Sequence, residues 1–319
     1  MTLHAATAIL LALLADPLPP DTSPVRFAPE VLGQDGRITL SPGFSPDGQF
    51  MVLAQSECGA IGDCPQRLKV SRRTAKGWSA PRTVRRTERA RADWPSIAPD
   101  GRTVYLSWAA DRPRHEGAGV AVDFDLYRFD LFDEASLPEP IDEPDISRLR
   151  GGKIARLRYV HNETAPVLTR SGDLYFWTER LEGPGERDIY VAAGDGEGGF
   201  EPPRALPAPI NSAAREDSSW VTPDGDLMLL ALTDRAGGEG DSDIHLSVKG
   251  PDGWSAPVPL GPGVNSPYAD LAARITPDGR DLVFTSTRPF EGQGPGLLQV
   301  WTVPVSSVSA LRGLVDGPL

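Results

Sequence analysis

Acidic residues recur in this 319-residue chain at a fixed distance, seven or eight positions, ahead of a tight turn: Asp93, Glu163, the pair Glu216 and Asp217, and Asp270. Carboxylates converging on one opening would attract a cation or a polar ligand. Two of them about 5 to 9.5 Å apart, one with a raised pKa, would suit glycoside hydrolysis. His161 adjoins Asn162 and Glu163 and completes a candidate ligand-binding group of Asp93, His161, Glu163, Glu216, Asp217 and Asp270. Against a shared site stands the repetition itself, because a residue recurring in nearly every unit readily serves that unit's own hydrogen bonding. The first repeat also has Thr39 and Leu40 at the equivalent positions, so any ring is broken.

No catalytic residue is assigned. Nucleophilic catalysis needs a Ser or Cys with a base, yet no Gly-x-Ser-x-Gly elbow occurs and the histidines, His4, His115, His161 and His245, are scattered. Asp241, Ser242 and Asp243 follow a Gly-rich stretch, but no twelve-residue loop with a terminal Glu follows them, so a divalent cation is only the alternative to having no cofactor. Arg112, Arg180, Arg235 and Arg288, with the strand-opening Asp125, Asp188 and Asp243, recur in step with the repeat and are assigned to loop-closing salt bridges and backbone hydrogen bonds.

The elements that must position these groups follow from the turns. Pro-Asp-Gly stands at 46–48, 99–101, 223–225 and 277–279, and Arg170-Ser171-Gly172 fills the remaining place. The central positions, 47, 100, 171, 224 and 278, lie 53, 71, 53 and 54 residues apart. Pro presets φ and Asp-Gly supplies the turn, so each marks a hairpin. A β-rich run follows every turn, at 50–54, 103–108, 174–178, 227–232 and 282–286. A second run recurs about 20 residues later, as in Asp188-Ile189-Tyr190 and Asp243-Ile244-His245, and a third opens on an aromatic with Pro three residues on, as in Trp78 to Pro81. With the strand leading into the turn this makes four strands per unit. Five such units predict an all-β, five-bladed β-propeller. The last unit lacks its outer strand, whereas the N-terminal region offers Pro29-x-x-Leu32-Gly33, matching Pro257-x-x-Leu260-Gly261. A strand at about 27–32 is therefore expected to complete the fifth blade and remove the exposed edge.

The formal charge of -12 argues against nucleic acid as a partner. Residues 3–15 form an apolar stretch of signal-peptide length, too short for a bilayer span, so no transmembrane segment is expected. The division is then 1–22 signal peptide and leader, 23–305 propeller and 306–319 C-terminal tail, with a periplasmic or secreted location. Cys58 and Cys64 are the only cysteines, and the short loop between them contains Gly59 and Gly62, so a disulfide suited to an oxidising compartment is expected.

These repeats resemble the TolB-like propeller module, a WD-like unit built around Pro-Asp-Gly. The resemblance is carried by Asn162-Glu163-Thr164-Ala165-Pro166, Leu174-Tyr175-Phe176 and Arg187-Asp188-Ile189-Tyr190 in one unit, and by Glu216-Asp217, Pro223-Asp224-Gly225 and Asp243-Ile244 in another. It covers about residues 26–303. Ser171 stands where the family has Asp, the first unit lacks the acid-Arg loop, and there are five units where TolB itself has six. The resemblance is specific for fold, and the sequence as a whole is read as an exported, non-catalytic, monomeric propeller that binds an envelope protein or peptide, or a polysaccharide, through one face. A hydrolase using channel carboxylates is the alternative, since the same fold hosts both.

Overall fold

The computed structural model describes residues 23–33, 36–56, 58–59, 64–110, 124–147, 162–180, 182–233, 238–290, 292–315 and 317–319. The expected signal region and His161 lie outside the described residues.

Five antiparallel sheets form a closed ring of blades. Their inner strands, Thr39–Phe44, Ala92–Ile97, Glu163–Leu168, Arg215–Val221 and Asp270–Ile275, contact one another around the ring. Each leads through its turn into a second strand, Phe50–Gln55, Thr103–Trp108, Leu174–Thr178, Leu227–Thr233 or Asp281–Ser286. In the first turn the Ser45 hydroxyl and the Gln49 amide donate to the Asp47 carboxylate, at 2.5 and 2.9 Å, and hold it below its ordinary pKa. Gly48 supplies the positive φ of 66° that the turn requires.

The apolar alternation of the second strands explains the closure. Met228 and Leu230 pack into a cluster shared with the third blade, while Leu227 and Leu229 face a cluster shared with the fifth. Comparable clusters fill the other blade interfaces, so each sheet is buried on both faces.

The ring is closed by the N-terminal strand, although its position differs from expectation. Val25–Arg26 pairs with Gln299–Pro304, in the register Val25↔Thr302 and Arg26↔Trp301, and the Phe27 amide extends this by donating to the Val300 carbonyl at 2.9 Å. Pro29–Leu32, expected as part of that strand, is instead a single helical turn. Ala28 turns the chain with a φ of 44°, and Pro29 has the preset φ that a first helical residue needs. The turn places Leu32 in the core between the fifth and first blades.

Two local features shape the channel. Every inner strand shifts register against its partner, between Leu40 and Gly43, Asp93 and Ser96, Thr164 and Val167, Glu216 and Ser218, and Leu271 and Arg274. These are β-bulges, and in four of them Ser41, Trp94, Ala165 or Ala272 sits at φ between 51° and 56°. The segment after the last strand is packed as well: Val308 and Leu311 are buried in the core between the fourth and fifth blades, and the Leu319 amide donates to the Pro277 carbonyl at 2.9 Å.

Candidate functional site

An inner strand of six residues separates the recurring carboxylates from the turns by roughly 20 Å, so the two sets lie at opposite ends of the channel. The position eight residues before each turn is occupied by Thr39, Ala92, Glu163, Glu216 and Asp270. In all five blades its amide donates to the preceding blade, at the carbonyl of Leu298, Gln66, Phe124, Arg187 or Ser242 respectively. The repeated position is therefore a joint between neighbouring blades.

The side chains there are buried rather than presented to a wet opening, as a shared ligand ring would require. Glu163, Glu216 and Asp270 are each 0 % exposed. Asp270 accepts hydrogen bonds from the Ser266 amide and hydroxyl, both at 2.7 Å, and from Arg288 Nη2 at 2.7 Å. Burial pushes its carboxyl pKa up, against the opposing pull of Arg288. Glu163 accepts from Thr178 Oγ1 at 3.2 Å and pairs with buried Arg180, whose Nη2 also donates to the Ile146 carbonyl at 2.6 Å. Glu216 accepts from the Ser212 hydroxyl at 2.8 Å. The first blade replaces the carboxylate with a neutral pair, Gln55 Nε2 donating to Thr39 Oγ1 at 3.0 Å.

One position further along stand Asp93 and Asp217. Asp93 is buried, with Oδ2 on Arg91 Nε at 2.7 Å and Oδ1 without a hydrogen-bond partner among the described residues. Burial raises its pKa, against the effect of Arg91. Asp217 is tied to Arg187 Nη1 at 2.5 Å and to the Thr233 hydroxyl. Arg187 also reaches Glu179 at 2.8 Å, so this network joins the third and fourth blades. Asp217 alone among the described candidate acids keeps appreciable exposure, 19 % of its side chain.

The structure thus brings the candidate acids to one end of the channel, but not into one site. Among the described residues no group of three or more His, Cys, Asp or Glu is arranged to hold a metal ion. Cys58 and Cys64 are joined by a disulfide with a Cα separation of 5.8 Å.

Positions that depart from the repeat were the ones sequence reasoning missed. Six residues before the turns stand Ser41, Trp94, Ala165, Ser218 and Ala272. Trp94, from the second blade, packs against clusters on both far sides of the ring, between the third and fourth blades and between the fifth and first, so its indole crosses the channel. The small residues of the other blades leave it room. A Trp at a φ of 51° is strained backbone, which persists only where surrounding packing enforces it.

Four residues before the turns stand Gly43, Ser96, Val167, Trp220 and Arg274. Arg274 is 6 % exposed and projects from the fifth blade to the second, donating from Nη2 to the Pro95 carbonyl at 2.9 Å. Gly43 permits the crossing, because a Cβ there would lie 2.8 Å from the Pro95 oxygen and 3.0 Å from Arg274 Nη1. The guanidinium lines a funnel that opens between the Pro-Asp-Gly turns, with Phe44, Ile97, Leu168, Trp220 and Ile275 on its walls. The space enclosed within the funnel is about 60 Å³, and the remainder is open to solvent. Comparing the repeats column by column would have singled out both the lone charge and the lone indole.

The fold and its two channel ends define a five-bladed β-propeller whose recurring acids are built into the blades. No protein-family model matches the chain, and no curated protein matches it. Among solved structures it is similar to TolB from Acinetobacter baumannii, at 13 % identity and a TM-score of 0.46, covering 83 % of this chain and 54 % of that one. It is also similar to an alpha-L-arabinofuranosidase from Lactobacillus brevis, at 12 % identity and a TM-score of 0.49, covering 88 % and 94 %. A third similarity is to puromycin hydrolase, at 18 % identity and a TM-score of 0.41, covering 81 % and 37 %. The chain spans about half the length of TolB and about a third of puromycin hydrolase. The propeller assignment itself rests on the sheet pairings.

Proposed function

We propose that this chain is a non-catalytic binding propeller, exported to the periplasm or beyond, which engages an envelope protein, peptide or polysaccharide through one face. The observation carrying this reading is the complete burial of Glu163, Glu216 and Asp270, each bonded to groups of its own blade or the loop before it. A glycosidase needs a pair of carboxyls open to substrate, with room for a sugar between them. These acids instead hold the blades in register. The short apolar run at 3–15 and the Cys58–Cys64 bond support export, and among the described residues no helix is long and apolar enough to cross a membrane.

The test pairs capture with turnover. Purified protein immobilised through its surface lysines is incubated with envelope extract, and the retained component is eluted by excess soluble propeller and weighed by mass spectrometry. The binding reading expects a component retained at unchanged mass. Hydrolysis of aryl glycosides or peptide anilides, lost in Glu163→Gln or Asp270→Asn variants that remain folded, would replace it with the hydrolase reading.

A further inference from the structure

The funnel between the Pro-Asp-Gly turns has a chemical character that the recurring acids do not share. Its floor carries one guanidinium, Arg274, which among the described residues forms no ion pair and donates to a single acceptor, the Pro95 carbonyl. An arginine side chain has five N–H donors, and a carbonyl dipole does not neutralise its charge. Burial alone pulls the Arg274 pKa down to about 10, so the group is a cation at neutral pH in a place that disfavours cations. Other blades place Gly43, Ser96, Val167 and Trp220 at this level, and the Ser96 hydroxyl is already committed to the Pro166 carbonyl at 2.6 Å. Two residues before Ser96 on the same inner strand, Trp94 crosses the channel on the side away from the turns.

From this arrangement we infer that the funnel binds a monocarboxylate borne on a small apolar group, with Arg274 holding the carboxylate and the Phe44, Ile97, Leu168 and Trp220 walls holding the apolar part. One planar guanidinium matches the charge and fork geometry of one carboxylate, whereas a phosphate or sulfate would call for further donors that the apolar walls do not offer. The rim already accommodates an apolar residue: Leu319 lines the funnel while its amide bonds to the Pro277 carbonyl. Such a ligand is either a free aliphatic acid or the carboxyl end of a peptide. The inference rests on the binding reading and deepens it by naming the mouth and the ligand chemistry.

The probes are N-acetyl-L-leucine, N-acetyl-L-leucinamide and 4-methylpentanoate, titrated into the full chain by isothermal calorimetry. Saturable binding of N-acetyl-L-leucine, roughly tenfold or more tighter than its amide, is expected from a charge-assisted contact in a partly dry site. Arg274→Gln should abolish that preference, and Arg274→Lys should retain part of it. Tighter binding of 4-methylpentanoate than of N-acetyl-L-leucine identifies a free acid as the source, and the reverse order identifies a peptide end. Equal binding of acid and amide, no saturable binding of any probe, or a preference that survives Arg274→Gln overturns the inference. Should Arg274→Gln fail to fold, the acid-against-amide comparison on the unaltered chain and on Arg274→Lys decides. Envelope capture without any carboxylate preference would sink this inference alone. Glycoside turnover would sink the binding reading while leaving the probe result standing.

Discussion

Replacing Asp270 by Ala should destabilise the fifth blade without abolishing folding. The substitution leaves the Ser266 amide and hydroxyl and the Arg288 guanidinium without their shared acceptor, at a site that is 0 % exposed. Stranding one member of a buried ion pair costs about 3 to 5 kcal/mol. Two features reduce that here. Arg288 keeps bonds to the Val264 carbonyl at 2.5 Å and to Ser286 Oγ at 2.9 Å, and the variant no longer has to bury a carboxyl whose ionisation is opposed by burial. The balance is roughly 2 to 3 kcal/mol, or a melting temperature lower by about 3 to 5 °C for a domain of this size. Removing the stranded cation as well, in Asp270→Ala with Arg288→Met, should recover part of the loss, which a double-mutant cycle in urea would measure. A stability unchanged within about 0.5 kcal/mol, accompanied by loss of a ligand or cation, would refute the argument that this acid belongs to its blade.

Asp93→Asn tests the same logic through pH. Because burial raises the Asp93 pKa above its unfolded value, the folded state holds its proton longer, and stability falls as pH rises from the ordinary carboxylate pKa through the raised one. The neutral isostere should flatten the dependence of melting temperature on pH above about pH 4 and be no less stable at pH 7, and a large loss at pH 7 with the slope intact would oppose this. Deleting residues 23–32 removes the strand paired with Gln299–Pro304 and the buried Leu32, and should cost at least about 4 kcal/mol by urea denaturation. An unaffected midpoint would show that the ring closes without that strand. Cys58→Ser opens a short loop and should cost about 2 kcal/mol while leaving a cooperative transition.

The blade count and the second strands were legible because Pro-Asp-Gly sets a turn by local geometry, and a strand buried on both faces reads as a continuous apolar run. The N-terminal closure was legible as a missing strand but misplaced by a few residues, since Pro29 suits a helical start as well as an extended segment. At Glu163, Glu216 and Asp270 the spacing placed the groups correctly along the strand, but it carried no sign of their burial. Their partners explain why: Ser212 and Ser266 lie four residues upstream in the chain, while Arg180 and Arg288 arrive from the far end of the hairpin. The funnel was hidden for a different reason. Arg274 gains meaning only from Gly43 and Pro95, which are more than 170 residues away and meet it across the ring.

Whether the carboxylates act blade by blade or as one site is tested most directly by thermal melts of Glu163→Gln, Asp270→Asn and the double variant, each with and without added calcium or oligosaccharide. The two acids have separate partners, Thr178 and Arg180 for one, Ser266 and Arg288 for the other. Independent joints predict losses that add within about 0.5 kcal/mol and melting shifts indifferent to either additive. A strongly non-additive double variant, together with an additive-dependent stabilisation that both single substitutions abolish, would contradict the account.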